Sequence, residues 1–445
     1  MRDVSTDSLA IEPTAMNQSA TLELHHDVPC PGCGCLCDDL TVETKDGQVT
    51  SVRPACGLST GYLQAPLATA ADCRIDGQPA SIAEAIEVAA TRLRNAQAPL
   101  FFGLGETTSE VVRKVVDLAD RVGGILDASH PTFFDPSGRI LQTTGMVTCS
   151  LGEIRHRADL VVFWGCDPKT THPRHWQRYS VEPTGRFIPH GRADRQVVGI
   201  GQPNATTASC DTFISLQQDQ QIAALHALTS WAQAKPRNET ALHTQLAEAS
   251  EPLAKLHQQI QAAKYFVIVL GEGFLRRDLR RVPLELLAQY LRPLHELTRG
   301  AISILRPGPN WVGAGGVVAS RTGYPGSASL TQGIPQFDPD NNSAVKLLAQ
   351  ERVDAAMLLA GSWRQDLPEE AAKRLAAIPT ITLGHQVDWQ PGEKEIFLPI
   401  ARPGVSDQGT MSRLDDMPLP LRTLVSAEVP SAKEIVQAIL DKASA

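Results

Sequence analysis

The chain has 445 residues, of which 42% are hydrophobic and 20% charged, and its formal net charge is −8. This composition is typical of a globular protein with room for about three domains, and the negative charge argues against nucleic acid or an anionic membrane as a principal partner. No apolar run reaches the length of a membrane span, so we expect a cytoplasmic protein.

The N-terminal part of the chain divides into a polar tail and a cysteine-rich segment. Residues 1–25 lack a periodic pattern, which predicts a mobile tail. The next segment, 26–70, has four cysteines within eight residues and a fifth after a predicted β-hairpin over 40–52. Four of the five give the spacing C-x2-C-x3-C-x18-C: Cys30, Cys33, Cys37 and Cys56.

That spacing indicates a metal or cluster site. Three thiolates come close together along the chain and the hairpin returns a fourth, which suits an iron–sulfur cluster or a tetrahedral zinc ion. The alternatives are a relic of such a site and plain structural thiols. Disulfides are not expected, because nothing at the N-terminus resembles a secretory signal and cytosolic thiols stay reduced. Cys35 is the spare cysteine of the group, although spacing alone does not exclude it as a ligand.

From about residue 70 the pattern changes to alternating strands and helices. Short apolar runs closed by glycine predict buried strands over 99–105, 158–165, 264–271, 353–361 and 378–384. Helical patterns cover 82–96, 111–122, 218–233 and 241–263, and a last helix is expected after Pro430. This alternation predicts parallel sheets with helices on both faces. Ligands of such sheets bind at the carboxyl ends of the strands.

Three loops have a composition suited to ligand binding. The strongest, 165–180, leaves a strand at a glycine and carries two histidines and two arginines suited to phosphate oxygens; a solvated turn is the alternative. The segment 271–281 is half of a dinucleotide fingerprint, or an arginine-rich helix face. The glycine-rich stretch 313–327 suits close backbone approach to a ligand, or structural turns. No Ser-His-Asp order, P-loop or His-x-x-x-His zinc pair stands out.

Taken together, the motifs resemble the molybdopterin oxidoreductase family and, more closely, the B subunit of formylmethanofuran dehydrogenase. The similarity extends over 26–425. The blocks that carry it are 30–39, 144–145, 151–165, 172–175, 178–180, 321–325, 409–413 and 418–422.

The resemblance implies a fold and a domain order. It implies an α/β protein in which a small cysteine-rich β module, 26–70, is followed by two Rossmann-like doubly wound domains without the C-terminal barrel domain. The first of these would be discontinuous, formed by 71–145 and 305–445. The second, 146–304, would be inserted within it.

The resemblance also implies cofactors and an activity. The four cysteines would hold a 4Fe–4S cluster, and a molybdenum or tungsten molybdopterin guanine dinucleotide would lie between the Rossmann-like domains. In this family the B subunit reduces carbon dioxide to formate, which an amidohydrolase subunit joins to methanofuran. The matching positions imply a pterin site made from Gly165, Asp167, Pro168, His172, Arg174, Arg321, Gly323 and Thr410.

Two departures from the family pattern bear on that activity. The family places a cysteine or selenocysteine on the metal, followed by His-Gly-Pro-Ser; here 132–137 reads Thr-Phe-Phe-Asp-Pro-Ser, which puts Phe133 at the ligand position. A phenyl ring cannot donate an electron pair to a metal. The strand after the first pterin loop is also expected to end in an acidic residue, and 187–192 contains none.

With these two departures the chain resembles the B subunit of the bacterial formyltransferase/hydrolase complex, a relative that has lost the redox site. We therefore favour a non-redox subunit of a one-carbon complex that uses tetrahydromethanopterin- or methanofuran-type carriers, with the other subunits as its partners. The alternatives are a catalytically active molybdenum or tungsten subunit and a stand-alone iron–sulfur or zinc protein.

Overall fold

The structure is a computed structural model. It describes residues 22–133, 135–234, 239–276, 278–359, 361–385 and 391–445. Residues 1–21 of the tail predicted over 1–25 lie outside the described residues. Residues 22–25 belong to the first strand rather than to a tail.

The described part of the chain forms strands and helices in alternation. The strands are β1 (Leu22–Val28), β2 (Leu40–Lys45), β3 (Gln48–Arg53), β4 (Arg74–Ile75), β5 (Gln78–Pro79), β6 (Pro99–Phe102), β7 (Ile125–Asp127), β8 (Leu160–Trp164), β9 (Gln196–Gly201), β10 (Thr212–Ser215), β11 (Phe266–Leu270), β12 (Gly300–Ile304), β13 (Ala328–Ser329), β14 (Gln336–Phe337), β15 (Ala355–Leu359), β16 (Thr380–Gly384), β17 (Glu395–Pro399), β18 (Gly409–Ser412) and β19 (Pro418–Leu421). The helices are α1 (Gly57–Leu63), α2 (Ile82–Asn95), α3 (Ser109–Val122), α4 (Ser137–Thr143), α5 (Leu151–Arg157), α6 (Pro168–Thr171), α7 (Pro173–His175), α8 (Gln221–Ala232), α9 (Glu239–Leu246), α10 (Ser250–Ala262), α11 (Val282–Leu294), α12 (Trp311–Thr322), α13 (Ala344–Ala349), α14 (Glu369–Ala377) and α15 (Ala432–Ser444).

The cysteine-rich segment lies beside a small antiparallel sheet with the order β1-β2-β3. The predicted hairpin is confirmed as β2 and β3. Strand β1 was not predicted, because its exposed sequence, LELHHDV, buries only its last residue and so has no apolar face.

The larger of the two main sheets has the order β14-β13-β7-β6-β15-β16-β17-β4-β5. Its five central strands, β7, β6, β15, β16 and β17, are parallel to one another. The short outer strands β14, β13, β4 and β5 pair antiparallel with their neighbours. Helices α2, α3 and α15 share one apolar core with this sheet, and α13 and α14 share a second core with it.

The second main sheet is fully parallel, with the order β10-β9-β8-β11-β12. Helices α8, α10 and α11 share one of its cores, and α5 contributes to another. Two sheets with parallel cores and helix-covered faces confirm the predicted α/β class. The domain boundaries themselves stay a prediction, although the larger sheet takes strands from both sides of the segment 160–304 in the chain.

Most local predictions agree with the structure. All five predicted strands are present as β6, β8, β11, β15 and β16. Ser81 and Ser431 cap α2 and α15 as their sequences indicate, each accepting a hydrogen bond from a backbone N–H three residues on. The stretch predicted as helical over 241–263 is helical up to residue 262, but it is not one continuous α-helix: a short 3-10 turn over 247–249 separates α9 from α10. In the part of the chain that the structure describes, none of the helices combines the length and the apolar character that crossing a bilayer needs.

Candidate functional site

A cleft lies at the carboxyl edge of the five-stranded sheet. Strands β9 and β10 follow β8 on one side and β12 follows β11 on the other, so the strand order reverses between β8 and β11, where ligands of doubly wound sheets bind. The cleft has a volume of about 690 Å³. Residues that end or follow the five strands line it, among them Gly165, Asp167, His172, Gly201, Gln202, Asn204, Gln217, Gly271, Gly273, Arg276 and Leu305.

Glycines let the two central loops of the cleft approach each other closely. Gly165 has a φ of +60°, and a Cβ added there would lie 2.4 Å from the backbone nitrogen of Phe274. A Cβ added at Gly271 would lie 2.5 Å from Cβ of Cys166. The loops after β8 and β11 are therefore in backbone contact, and only glycine fits at these two points.

Substitution of Gly165 by alanine should therefore be costly. We expect a loss of about 3 kcal/mol in the free energy of unfolding, from the left-handed backbone and from overpacking against the loop after β11. Gly47→Ala is the matched control, because Gly47 also has a positive φ, +75°, but nothing lies within 4 Å of an added Cβ; it should lose only about 1 kcal/mol. Equal losses of stability in urea unfolding of the two variants would contradict this account.

Asp167 and Pro168, both predicted in the pterin site, lie at the start of α6. Asp167 lines the cleft, but its carboxylate also accepts hydrogen bonds from the backbone N–H of Thr206 at 3.0 Å and from the hydroxyl of Thr170 at 2.8 Å. Pro168 is buried at the first position of the helix. The Asp167 carboxylate therefore ties the loop after β8 to the loop after β9.

The amide side chains of the cleft were not predicted from the sequence. Gln202, Asn204 and Gln217 follow β9 and β10 and line the wall. The strand that was expected to end within 187–192 is in fact β9, at Gln196–Gly201, and 187–192 lies in the loop and turn before it. Strand β9 was not predicted because a glycine interrupts its apolar run. Like 187–192, the end of β9 has no acidic residue. These amides directly follow parallel strands, and that position is the signal from which they could have been identified.

His172 and Arg174, the other predicted residues of this loop, are directed towards neighbouring segments. Burial lowers the pKa of His172 to about 4, so the imidazole is neutral, and Nε2 donates a hydrogen bond to the carbonyl of Arg306 at 3.2 Å. Arg174 does not line the cleft. Its guanidinium group forms a bidentate pair with Asp39 at 2.6 and 2.7 Å.

A network of charged groups thus fastens the cysteine loop to the larger body of the chain. Next to the Arg174–Asp39 pair, Arg178 donates to Asp38 at 2.6 Å. The backbone N–H of Leu414 donates to the carbonyl of Gly34 at 2.9 Å. The cysteine segment is therefore held by charge-assisted hydrogen bonds from the loop after β8.

The four predicted ligand cysteines lie in one neighbourhood. The backbone N–H of Cys30 donates to the carbonyl of Cys37 at 3.0 Å, and the N–H of Gly32 donates to Sγ of Cys30 at 3.3 Å. Burial raises the pKa of the Cys30 thiol, and the charges of the other three cysteines raise it further. Among the residues that the structure describes, no three His, Cys, Asp or Glu side chains are placed to hold a metal ion. Thiols and a backbone N–H donor at one sulfur are the donor types that an iron–sulfur cluster uses, but as placed here the side chains do not form a ligand set.

Cys35, the spare cysteine, is turned inward. It is 1% exposed and packs in the apolar core with Phe163 and Tyr179. Its thiol shares a hydrogen bond with Cys33. This bond and burial both raise the pKa of Cys35, whereas the same bond lowers the pKa of Cys33 against the opposing effect of burial. Cys35 is thus a neighbour of a predicted ligand.

Phe133, at the predicted metal-ligand position, is a core residue that also borders the cleft. Its side chain is 1% exposed, and its ring meets that of Trp311 edge-on at a centroid distance of 5.4 Å. Cys166 lines the same cleft, but its thiol donates to the carbonyl of Val269 at 3.4 Å, and burial raises its pKa. Cys149 belongs to a different core cluster. The side chains present do not fit a pterin-bound metal that takes a ligand from the protein.

The remaining predicted pterin residues lie on other surfaces. Arg321 pairs with Asp117 of α3, and Gly323 ends α12 with a φ of +85°. Thr410, on β18, donates its backbone N–H to Glu110 at 2.9 Å and borders a separate cavity. The structure does not bring these three residues to the cleft of the five-stranded sheet.

Glu106 is a partly buried carboxyl group that the sequence did not single out. It follows β6 at the point where the strand order of the larger sheet reverses between β6 and β15. A Cβ added at Gly308 would lie 3.1 Å from its Oε1, and one at Gly361 would lie 2.5 Å from its Cγ. Burial raises the pKa of Glu106 to about 7.

This pKa predicts a specific dependence of stability on pH. The unfolded chain releases the proton near pH 4.5 and the folded chain only near 7, so stability should fall as the pH rises between these values and stay level above them. We expect Glu106→Gln to remove this fall, which amounts to at most about 3 kcal/mol at about 1.4 kcal/mol per pKa unit. Urea unfolding at pH 5 and pH 8 measures the change in the free energy of unfolding, with Glu428→Gln, at an exposed position, as the control. If the two variants lose the same stability between these pH values, the assignment to Glu106 is refuted.

Comparison with known proteins gives similarity along nearly the whole chain. The chain is 26% identical over 431 residues to the B subunit of the tungsten-containing formylmethanofuran dehydrogenase 2 of Methanocaldococcus jannaschii, covering 94% of this chain and 98% of that protein. It is 26% identical over 437 residues to the protein of the same name from Methanococcus maripaludis, covering 95% and 99%. No family model matches the chain. The predicted resemblance to the B subunit of formylmethanofuran dehydrogenase is therefore confirmed.

Among solved structures, a chain of the formyltransferase/hydrolase complex FhcABCD from Methylorubrum extorquens, determined with methylofuran, is similar with a TM-score of 0.67. The identity is 22%, and the match covers 84% of this chain and 98% of that chain. At this identity the likeness supports the fold.

Proposed function

We propose that this chain is a subunit of a one-carbon complex that interconverts a formyl carrier with formate or carbon dioxide, and that it assembles there with formyltransferase and hydrolase subunits. The carrier is of the tetrahydromethanopterin or methanofuran type. Similarity over 94% of the chain to the B subunit of a formylmethanofuran dehydrogenase supports this function.

We further propose that the chain performs no redox chemistry of its own. The observation that carries this proposal is Phe133, an apolar ring packed on Trp311 at the position where the family has its metal ligand. A bound pterin metal would supply the redox chemistry in that family, and the phenyl ring offers it no donor atom. A fold can persist after its chemistry has been lost.

In this proposal the four cysteines hold a 4Fe–4S cluster that acts as a structural clip. The cluster would join the short loop 30–37 to Cys56 at the start of α1. The chain's own contribution is positional: Arg174 and Arg178 pair with Asp39 and Asp38, which directly follow the cysteine loop.

A second candidate is a catalytically active molybdenum or tungsten subunit. The names of the two curated relatives, both tungsten-containing, favour it, as does the open cleft of about 690 Å³ at the carboxyl edge of the five-stranded sheet. The third hypothesis, a stand-alone iron–sulfur or zinc protein, does not explain similarity along the whole chain.

Metal and pterin analysis of anaerobically purified chain separates the candidates. We expect iron and sulfide without molybdenum, tungsten or pterin. Stoichiometric tungsten or molybdenum with pterin would overturn the non-redox proposal. In the complex co-expressed with its formyltransferase and hydrolase subunits, we expect formate release from the formyl carrier without any electron acceptor; a strict requirement for an acceptor would support the second candidate.

A further inference from the structure

A large aromatic side chain is displayed on the surface away from the cleft. Phe187, in the loop between α7 and β9, is 63% exposed. The loop packs against the end of α5, beside the amino ends of β8 and β11, whereas the cleft lies at the carboxyl ends of these strands. From the sequence, Phe187 was expected only as part of the end of a strand, but in the structure it lies in the loop before β9.

Phe187 takes part in a stacked series of aromatic and guanidinium groups. The guanidinium carbon of Arg157 lies 4.9 Å from the ring centroid of the buried Tyr265 and 5.9 Å from that of Phe187. The guanidinium carbon of Arg186 lies 5.8 Å from the Phe187 ring. In the described part of the chain neither arginine forms an ion pair with a carboxylate. Both charges are therefore available to a partner.

The loop that carries Phe187 is held rigidly. The backbone N–H of Phe187 donates to the carbonyl of His156 at 2.9 Å, and that of Arg186 donates to His156 Nδ1 at 3.1 Å. A Cβ added at Gly185 would lie 2.2 Å from the carbonyl oxygen of Arg155, so the loop is in backbone contact with α5. The buried Arg195 donates to three backbone carbonyls around the base of this loop. A surface fixed in this way loses little conformational entropy on binding.

Two guanidinium groups lie 5.9 and 5.8 Å from the Phe187 ring centroid, although the chain as a whole is acidic. The nearby carboxylates are engaged: Asp159 accepts the backbone N–H groups of Lys264 and Tyr265, Asp194 accepts from His190, and Asp211 pairs with Arg192. Glu153 accepts from Ser150 at the start of α5, and Glu182 is exposed. Exposed aromatic rings and arginines on a fixed backbone are the residue types that dominate protein interfaces.

We propose that Phe187, Arg157 and Arg186 form a docking site for another subunit of the complex, one that presents an apolar pocket rimmed by carboxylates. The two guanidinium groups that flank the ring have no carboxylate partners in the described part of the chain. A surface that complements them in charge carries carboxylates. The proposal rests on the proposed function, because it takes the partner from the same complex.

The test uses the full chain co-expressed with its formyltransferase and hydrolase subunits. We expect Phe187→Ala to weaken assembly about 30-fold, as is typical of a central interface residue, and the double variant R157E/R186E to weaken it at least as much. Ile334→Ala is the matched control, because Ile334 is 64% exposed next to β14, at the edge of the larger sheet, and it should assemble normally. A photo-crosslinker at position 187 should attach to an acidic surface of a partner subunit. The isolated Phe187→Ala variant should melt at the wild-type temperature, since the Phe187 ring is largely exposed.

The outcomes separate this proposal from the proposed function. If the wild-type chain does not assemble with those subunits, the proposed function fails and the docking site with it. If it assembles but Phe187→Ala and R157E/R186E assemble as tightly as Ile334→Ala, the docking proposal alone is overturned. A crosslink from position 187 only to a second copy of this chain would also overturn it.

Discussion

Replacing Cys37 by alanine is expected to remove essentially all iron and acid-labile sulfide from the anaerobically purified chain, together with the visible absorption of the cluster. A four-iron cluster that loses one of four thiolates loses a corner ligand. In the structure Cys37 closes the loop through its carbonyl, which accepts from the Cys30 N–H at 3.0 Å. Iron and sulfide analysis with absorption spectroscopy provides the measurement.

Two further cysteines provide matched controls for this result. Cys35 is buried in the same loop, and we expect Cys35→Ala to keep its iron because this thiol is directed to Cys33. Cys73 is 0% exposed in a different core, so Cys73→Ala should also keep its iron. Loss of iron in Cys35→Ala with retention in Cys37→Ala would reassign the ligands. Zinc in place of iron in the wild-type chain would show that the cysteines hold a single ion.

Replacing Arg306 by methionine is expected to cost about 3–5 kcal/mol of stability, since it leaves a carboxylate buried without its partner. The guanidinium group lies 2.5 Å from Asp135, whose side chain is 7% exposed, and it also donates to Ser137 and to the carbonyl of Leu414. These contacts hold the segment next to Phe133 against the loop after β12. Urea unfolding at pH 7 measures the loss.

The pH dependence and two control variants test this assignment. Burial opposes ionisation of Asp135, but Arg306 and Ser137 outweigh it and lower its pKa. The contribution of the pair should therefore be present above the ordinary pKa of an aspartate and be lost as the pH falls through the lower, folded-state pKa. Arg321→Met, which breaks the more exposed pair with Asp117, should cost about 0–1 kcal/mol. The double variant D135N/R306M should be more stable than R306M; if it is not, the unpaired buried charge is not the cause.

The local elements were largely predictable from the sequence. The strands at 99–102, 160–164 and 266–270 are apolar runs closed by glycine, and such runs fit only the buried centre of a parallel sheet. The strand β1 and the break between α9 and α10 were not predictable. One has no apolar face, and the other depends on a local turn inside a continuous helical pattern.

The candidate site was predicted in part. Gly165, Asp167 and His172 line the cleft as expected, because residues that follow a parallel strand reach the carboxyl edge of the sheet. Arg174 was predicted beside them, but the direction of a long side chain depends on which partner is near, and here Asp39 is that partner. Gln202 and Asn204 belong to a loop whose strand the sequence did not reveal.

What the sequence by itself determined is the chemistry available to this protein: four thiols in a short spacing, glycines after buried strands, and a phenylalanine where the family resemblance predicts a metal ligand. Each of these depends on residue type and local spacing. What only the tertiary structure decided is which groups meet: Arg306 with Asp135, Arg174 with Asp39, and the Phe187 ring between two arginines. The physical reason is that side chains many residues apart in the chain are brought together by the packing of the two sheets, and no local pattern records which of them become neighbours.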